Sequence, residues 1–304
     1  MAPAAKQIST ARLSRAGVAW ALLTVAIWGM WSVYTRLGLM RSLHPEDLVA
    51  LRFGISGLLL LPLLVTISRG ISRSVWIEGV LLAACQGAPF VLLLAAGLVF
   101  APANHAPALT TGLMPLFAAV LSFLFFGKRT DISRSIGLAL IICGAFTLAG
   151  VSFRDESKVL FGDLLFVGAS VMATIYTLRA GHLALTATQG ASIVCVYSMV
   201  GYLPIYFCLA DVHRLWEAPA HEVLFQAIYQ GVLMGAVSML TFNKAIALLG
   251  APTASAFVSL VPVVATLAAI PVLNEAPSFW DSLAVAAISC GVVAAAGVFS
   301  RQRT

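Results

Sequence analysis

The sequence predicts an all-α membrane protein: ten transmembrane helices in two inverted five-helix repeats around a central cavity. Three observations carry that prediction. Apolar residues make up 61% of the 304, charged residues 10%, and mean hydropathy is +0.99, against about half apolar and a quarter charged in soluble domains. The apolar residues fall into ten runs, each near the roughly 20 residues that a helix needs to cross hydrocarbon. Finally, Leu113-Met114-Pro115, Gly127, Cys143-Gly144 and Gly150 return as Leu260-Val261-Pro262, Asn274, Cys290-Gly291 and Gly297, each 147 residues further on. A duplication of nearly the whole chain in a membrane protein points first to a transporter.

The predicted spans run approximately over 17–39, 47–67, 75–99, 105–126 and 132–151, then 161–180, 188–210, 223–249, 253–273 and 279–299. They define a tail at 1–15, a first repeat at 16–151, a connecting loop at 152–160, a second repeat at 161–300 and a tail at 301–304. No soluble domain is left over to carry chemistry. Lys6, Arg12 and Arg15 resemble the charged start of a signal peptide, but the apolar run behind them is too long for one, so it reads as a retained first span.

With the N-terminus cytoplasmic, the cytoplasmic segments carry Lys6, Arg12, Arg15, Arg69, Arg73, Lys128, Arg129, Arg134, Arg179, Lys244, Arg301 and Arg303. The opposite side carries Arg36, Arg41, Arg52, Arg154, Lys158 and Arg214. This asymmetry places both termini in the cytoplasm. It also accounts for the net charge of +6 without a nucleic-acid partner. Five spans per half make the repeats antiparallel by parity alone. The loop from Lys128 to Arg134 is basic, whereas its counterpart with Glu275 and Asp281 is acidic, as expected if one faces inward and the other outward. The location expected is a bacterial cytoplasmic (inner) membrane.

The five cysteines lie inside predicted spans without a CxxC pair and read as packing residues. No metal site or cofactor is expected. The candidate substrate-binding residues are the polar and aromatic groups that fall inside spans, where a charge at helix centre costs about 2.5–3.5 kcal/mol on translocon scales. Lys244, beside Asn243, either attracts an anionic substrate group or snorkels to the headgroups. Gln86-Gly87 and Gln230-Gly231 occupy similar depths of equivalent spans and serve either a polar substrate or helix–helix bonding. Trp28, Trp31 and Tyr34 form a loose stripe on the first helix, with Trp28 too deep for an interfacial belt. His105 either titrates at a cavity entrance or belongs to a helix start, and Tyr176 and Tyr229 are comparable candidates. Pro89, Pro107, Pro115, Pro252 and Pro262 are expected to bend or break their helices. Glu78, Asp163, Glu222, Glu275 and Asp281 sit near span ends, so no central carboxylate marks a proton path.

These residues resemble the drug/metabolite transporter (DMT) superfamily, specifically its ten-helix EamA-type members. Pro262, Glu275 and Gly291-Val292 match the pattern that closes each repeat, as do Pro115 and Gly144, while Lys128 stands where an acidic residue is usual. The stretch from Pro45 to Phe53, with Arg52 after several apolar residues, is similar to the opening of the second helix. The resemblance implies a secondary active or facilitative carrier of small polar metabolites, for example amino acids, working by alternating access and more often outward. Its partners would be the lipid bilayer, a small-molecule substrate, and a proton or exchanged counter-substrate. The alternatives are a membrane-embedded enzyme, for which no HExxH, GxSxG or P-loop is present, and a non-transporting scaffold.

Overall fold

A computed structural model describes residues 14–126, 132–155, 157–183, 185–249 and 251–295. The described residues are helical apart from short connections. Seven helical stretches among them are long and apolar enough to cross a membrane, and three shorter apolar helices accompany them. Large apolar side chains such as Phe146, Leu209, Val65 and Ile77 are exposed on the outside, as a lipid-facing surface requires.

In chain order, α1 (Arg15–Arg41) starts at Ser14, whose hydroxyl accepts from the Gly17 N–H. α2 (Pro45–Ile67) opens with Pro45 and has Glu46 and Asp47 in its first turn, where carboxylates meet the positive helix end. The third predicted span comprises α3 (Arg73–Gln86) and α4 (Ala88–Phe100). It breaks at Gly87, where Pro89 has no N–H to continue the ladder and Ser198 Oγ accepts from the Ala88 N–H at 3.1 Å. A Cβ on Gly87 would collide with that hydroxyl and with the Ala83 carbonyl.

The fourth predicted span is α5 (His105–Thr110) and α6 (Met114–Phe126), followed by α7 (Ile132–Asp155). α8 (Ser157–His182) follows, so the described residues of the 152–160 connecting segment, 152–155 and 157–160, are helical. That segment lacks the Gly or Pro that would stop a helix. α9 (Ala187–Leu209), α10 (His213–Glu217) and α11 (Ala220–Gln226) follow, then a π-helical stretch at Ala227–Val237 that leads into α12 (Ser238–Leu249). α13 (Ala251–Val258), α14 (Val261–Leu273) and α15 (Phe279–Ala295) complete the described chain. The repeated Leu-x-Pro acquires a structural meaning here: Leu113-Met114-Pro115 and Leu260-Val261-Pro262 lie at the interruptions α5–α6 and α13–α14. α14 ends at Asn274, in the left-handed region with φ 55°, the conformation that Asn tolerates at a helix C-terminus.

α1 packs on α12 and α14, and α8 packs on α4, α5 and α6. α2 packs on α9, α2 on the π-helical stretch, α3 on α9, and α7 on α15. Backbones approach closely in the last pair, where a Cβ on Gly144 would lie 2.8 Å from the Ala284 carbonyl and one on Gly291 2.7 Å from that of Gly137. Small residues let membrane helices gain dispersion contacts where no hydrophobic force separates them from lipid.

Candidate functional site

Arg52 lies two turns into α2, half-buried. Its guanidinium carbon sits 5.9 Å from the centre of the Trp31 ring on α1, a cation–π distance. No described carboxylate forms an ion pair with it. Tyr229 and Cys195 are near enough to interact with it electrostatically.

A hydrogen-bond chain holds the surrounding rings. Trp31 Nε1 donates to Gln230 Oε1 at 2.8 Å, and Gln230 Nε2 donates to Thr35 Oγ1 at 2.8 Å and to Gln226 Oε1 at 3.3 Å. Gln226 Nε2 in turn donates to the Tyr34 carbonyl at 2.6 Å. The Tyr229 hydroxyl donates to the Ile27 carbonyl at 2.6 Å, and the Tyr34 ring meets the Tyr229 ring edge-on at 4.8 Å. Fixed donors and rings cost little reorganisation when a ligand arrives, which favours binding.

Of the residues singled out in the sequence, Trp31, Tyr34, Tyr229 and Gln230 come together in this network. Gln230 uses both amide atoms on protein partners and so bonds its helical stretch to α1. Gln86 differs from it: half-buried beside the Gly87 break, it has no hydrogen-bond partner among the described residues. Tyr176 is half-buried, with its hydroxyl against Gly190. Trp28 is also half-buried but packs on Phe242 of α12 at 5.1 Å, and Asn243 is half-buried on the same helix. Lys244 is exposed, whereas Arg52 is a half-buried cation. The signal for Arg52 was present in the sequence, as an Arg seven positions after Pro45 and directly behind the apolar Leu48-Val49-Ala50-Leu51. Counting it as a flanking charge hid it.

Charged residues assemble at the end of the bundle that carries Arg36. Arg36 pairs through Nε with Glu275, and its Nη1 donates to the Leu98 and Ala101 carbonyls. Glu275 Oε2 accepts from the Ala103 N–H at 3.0 Å. Beside them His105 is 2% exposed, with Nδ1 at 2.8 Å from Asp163 Oδ1 and Nε2 at 3.6 Å from Asp281 Oδ1. Further out, Ser42 donates to Glu222 at 2.6 Å and Tyr206 to Asp47 at 2.6 Å. At the other end Arg179 of α8 pairs with Glu78 of α3 at 2.6 Å. Lys128, the basic counterpart of Glu275, lies outside the described residues, as does Gly297. Among the described residues no group of His, Cys, Asp and Glu is arranged to hold a metal ion.

The family model for EamA-like transporters matches residues 15–150 and again 160–297. The chain belongs to the EamA-like transporter family. Relatives of this EamA protein include an uncharacterised transporter, YetK, of Bacillus subtilis, 23% identical over 258 residues, with 80% of this chain and 75% of that one covered. A probable terminal-alkyne amino-acid exporter of Streptantibioticus cattleyicolor is 27% identical over 178 residues, covering 57% of this chain and 59% of its own length. An uncharacterised transporter of Archaeoglobus fulgidus is 23% identical over 253 residues, covering 83% and 88%. A solved crystal structure at 18% identity matches 92% of this chain and 96% of its own with a TM-score of 0.62, a likeness of fold. The EamA protein is therefore an integral membrane transporter.

Proposed function

We propose that this EamA protein is an alternating-access carrier for a small metabolite bearing a carboxylate, an amino acid or related compound, and that it works outward. The observation that carries the substrate class is Arg52. A cation inside a span is costly, and among the described residues it has an aromatic face but no anion. A ligand carboxylate would supply the missing charge through a bidentate pair, the contact a guanidinium makes best. Trp31, Tyr34 and Tyr229 offer the apolar part of the ligand an aromatic wall, and Gln86 and Tyr176 add polar groups. The printed description of the Streptantibioticus relative as an amino-acid exporter supports both class and direction.

Alternating access is supported by the way the two halves meet. Exchanging the first predicted span with the sixth, the second with the seventh and so on converts the α1–α12 contact into α8–α4, and α1–α14 into α8 with α5 and α6. It also converts α2 with the π-helical stretch into α9–α3 and returns α2–α9 and α7–α15 to themselves. This correspondence fits two repeats whose halves rock about a shared site. Both termini are cytoplasmic in this reading.

The test is counterflow in proteoliposomes with a panel of radiolabelled amino acids and non-amino carboxylates. The parent protein should exchange at least one of them. Arg52→Gln should lose about 100-fold in exchange, as for a buried charged contact worth some 3 kcal/mol, and Arg52→Lys should recover part of it at equal abundance. Absence of counterflow across the panel, or full exchange by Arg52→Gln, would overturn the proposal.

A further inference from the structure

The cluster around His105 has no part in the site at Arg52, yet it is a buried set of three ionisable groups. We propose that His105, Asp163 and Asp281 form a proton-binding site whose occupancy latches the Arg36 end of the bundle, and this rests on the carrier reading above. His105 opens α5, in the first half; Asp163 comes from α8 and Asp281 from α15, both in the second. One imidazole therefore joins the two halves that a carrier must move against each other.

The proton count follows from the geometry. Both ring nitrogens face carboxylate oxygens, but a neutral imidazole has a single N–H. Asp281 makes the shortage visible. Its Oδ2 accepts from the Ser278 N–H that caps α15, at 3.0 Å, whereas Oδ1 is buried without a hydrogen-bond partner and points at His105 Nε2. One added proton, held on the ring or on a carboxyl group, gives each contact a hydrogen and leaves the trio with one negative charge. Without it, two carboxylates and a ring lone pair confront one another in a site shielded from water, where such charge is expensive.

On α8, Asp163 has a further contact besides His105, and Lys158 is exposed. α14 and α4, which pack on α5, carry no titratable residue. On α1 the facing charge is Arg36, already paired with Glu275, and on α7 the described titratable side chains, Arg134 and Cys143, are exposed. Loss of the proton therefore acts on the trio itself and drives α15 from α5. The loop before α5 would feel this first, because its Ala103 N–H is held by Glu275 from the connection leading into α15.

Hydrogen–deuterium exchange of the full chain in lipid nanodiscs, corrected for intrinsic amide rates, reads this without a substrate. The peptide covering 97–111 should lose about tenfold in protection between about pH 6 and pH 9. Asp281→Asn, which keeps the cap to Ser278, and His105→Gln should abolish that dependence while leaving α7 and α15 protected as in the parent. A flat parent profile, or the same pH dependence in both variants, overturns the proposal. In proteoliposomes the Asp281→Asn protein should retain counterflow and lose accumulation driven by a pH gradient; retained accumulation refutes coupling. No counterflow in the parent would remove the carrier reading, while the exchange experiment would still decide the proton site.

Discussion

The pairing of Arg36 with Glu275 fastens α1 to the connection between α14 and α15, and its contribution can be worked out from its surroundings. The two side chains are 18% and 20% exposed. A fully buried pair loses about 3–5 kcal/mol when one partner is removed, a solvent-exposed one about 0–1. One-fifth exposure discounts the first figure. Each charge also keeps a backbone partner, Arg36 on the Leu98 and Ala101 carbonyls and Glu275 on the Ala103 N–H. A coupling energy of about 2 kcal/mol results, or about 30-fold in an equilibrium constant. The assay is a double-mutant cycle of Arg36→Met, Glu275→Gln and both, followed by tryptophan fluorescence during reversible unfolding in mixed micelles. Glu275→Gln keeps an acceptor for Ala103, so the cycle isolates the charge pair. A coupling energy below about 0.5 kcal/mol, the usual error of additivity, would refute the reasoning and reduce the pair to a surface contact.

Three further outcomes follow from side-chain placement. Gly144→Leu should destabilise by about 3 kcal/mol, because even its Cβ would press on Ile288 and the Ala284 carbonyl; Gly201→Leu, with open space around it, is the control in the same unfolding assay. Gln230→Leu should cost about 2 kcal/mol by stranding Trp31 Nε1 and Gln226 Oε1, whereas Gln86→Leu should leave stability within about 0.5 kcal/mol and slow counterflow. Lys244→Ala should change neither abundance nor counterflow, as expected for an exposed cation; a loss of exchange at normal abundance would return Lys244 to the transport path.

The elements most legible in the sequence were those that lipid enforces. The described part of each apolar run falls mainly on helix, because a backbone surrounded by hydrocarbon must satisfy its own hydrogen bonds. Proline and glycine marked the breaks at Gly87, Gly112 and Leu260 for the same reason. What escaped depended on a third dimension or on boundaries a few residues wide. Opening the second span at residue 47 put Arg52 near an end instead of inside. His105, Asp163 and Asp281 each looked like a terminal residue, and only the packing of α5 on α8 and α15 made them one buried cluster. The π-helical stretch at Ala227–Val237 has no sequence signal of its own, although the Gln230-Gly231 pair singled out by depth lies within it.

Two arginines bear on how the proposed inverted repeat would acquire a direction. Arg36 follows Tyr34-Thr35 near the end of α1, and Arg179 follows Tyr176-Thr177 near the end of α8. In the inverted-repeat reading the two close opposite ends of the bundle. Strict symmetry would give Arg179 a carboxylate at the position equivalent to Glu275, but that position is Lys128. Arg179 bonds instead to Glu78, with the two side chains 42% and 26% exposed. A pair more open to solvent gains less net energy, while the Arg36 pair is more enclosed and is reinforced by three backbone contacts. The Arg179 end is then the easier one to open. A carrier with unequal latches has unequal populations of its two open states, and anything that weakens the stronger latch, such as loss of the proton at His105, shifts that balance most.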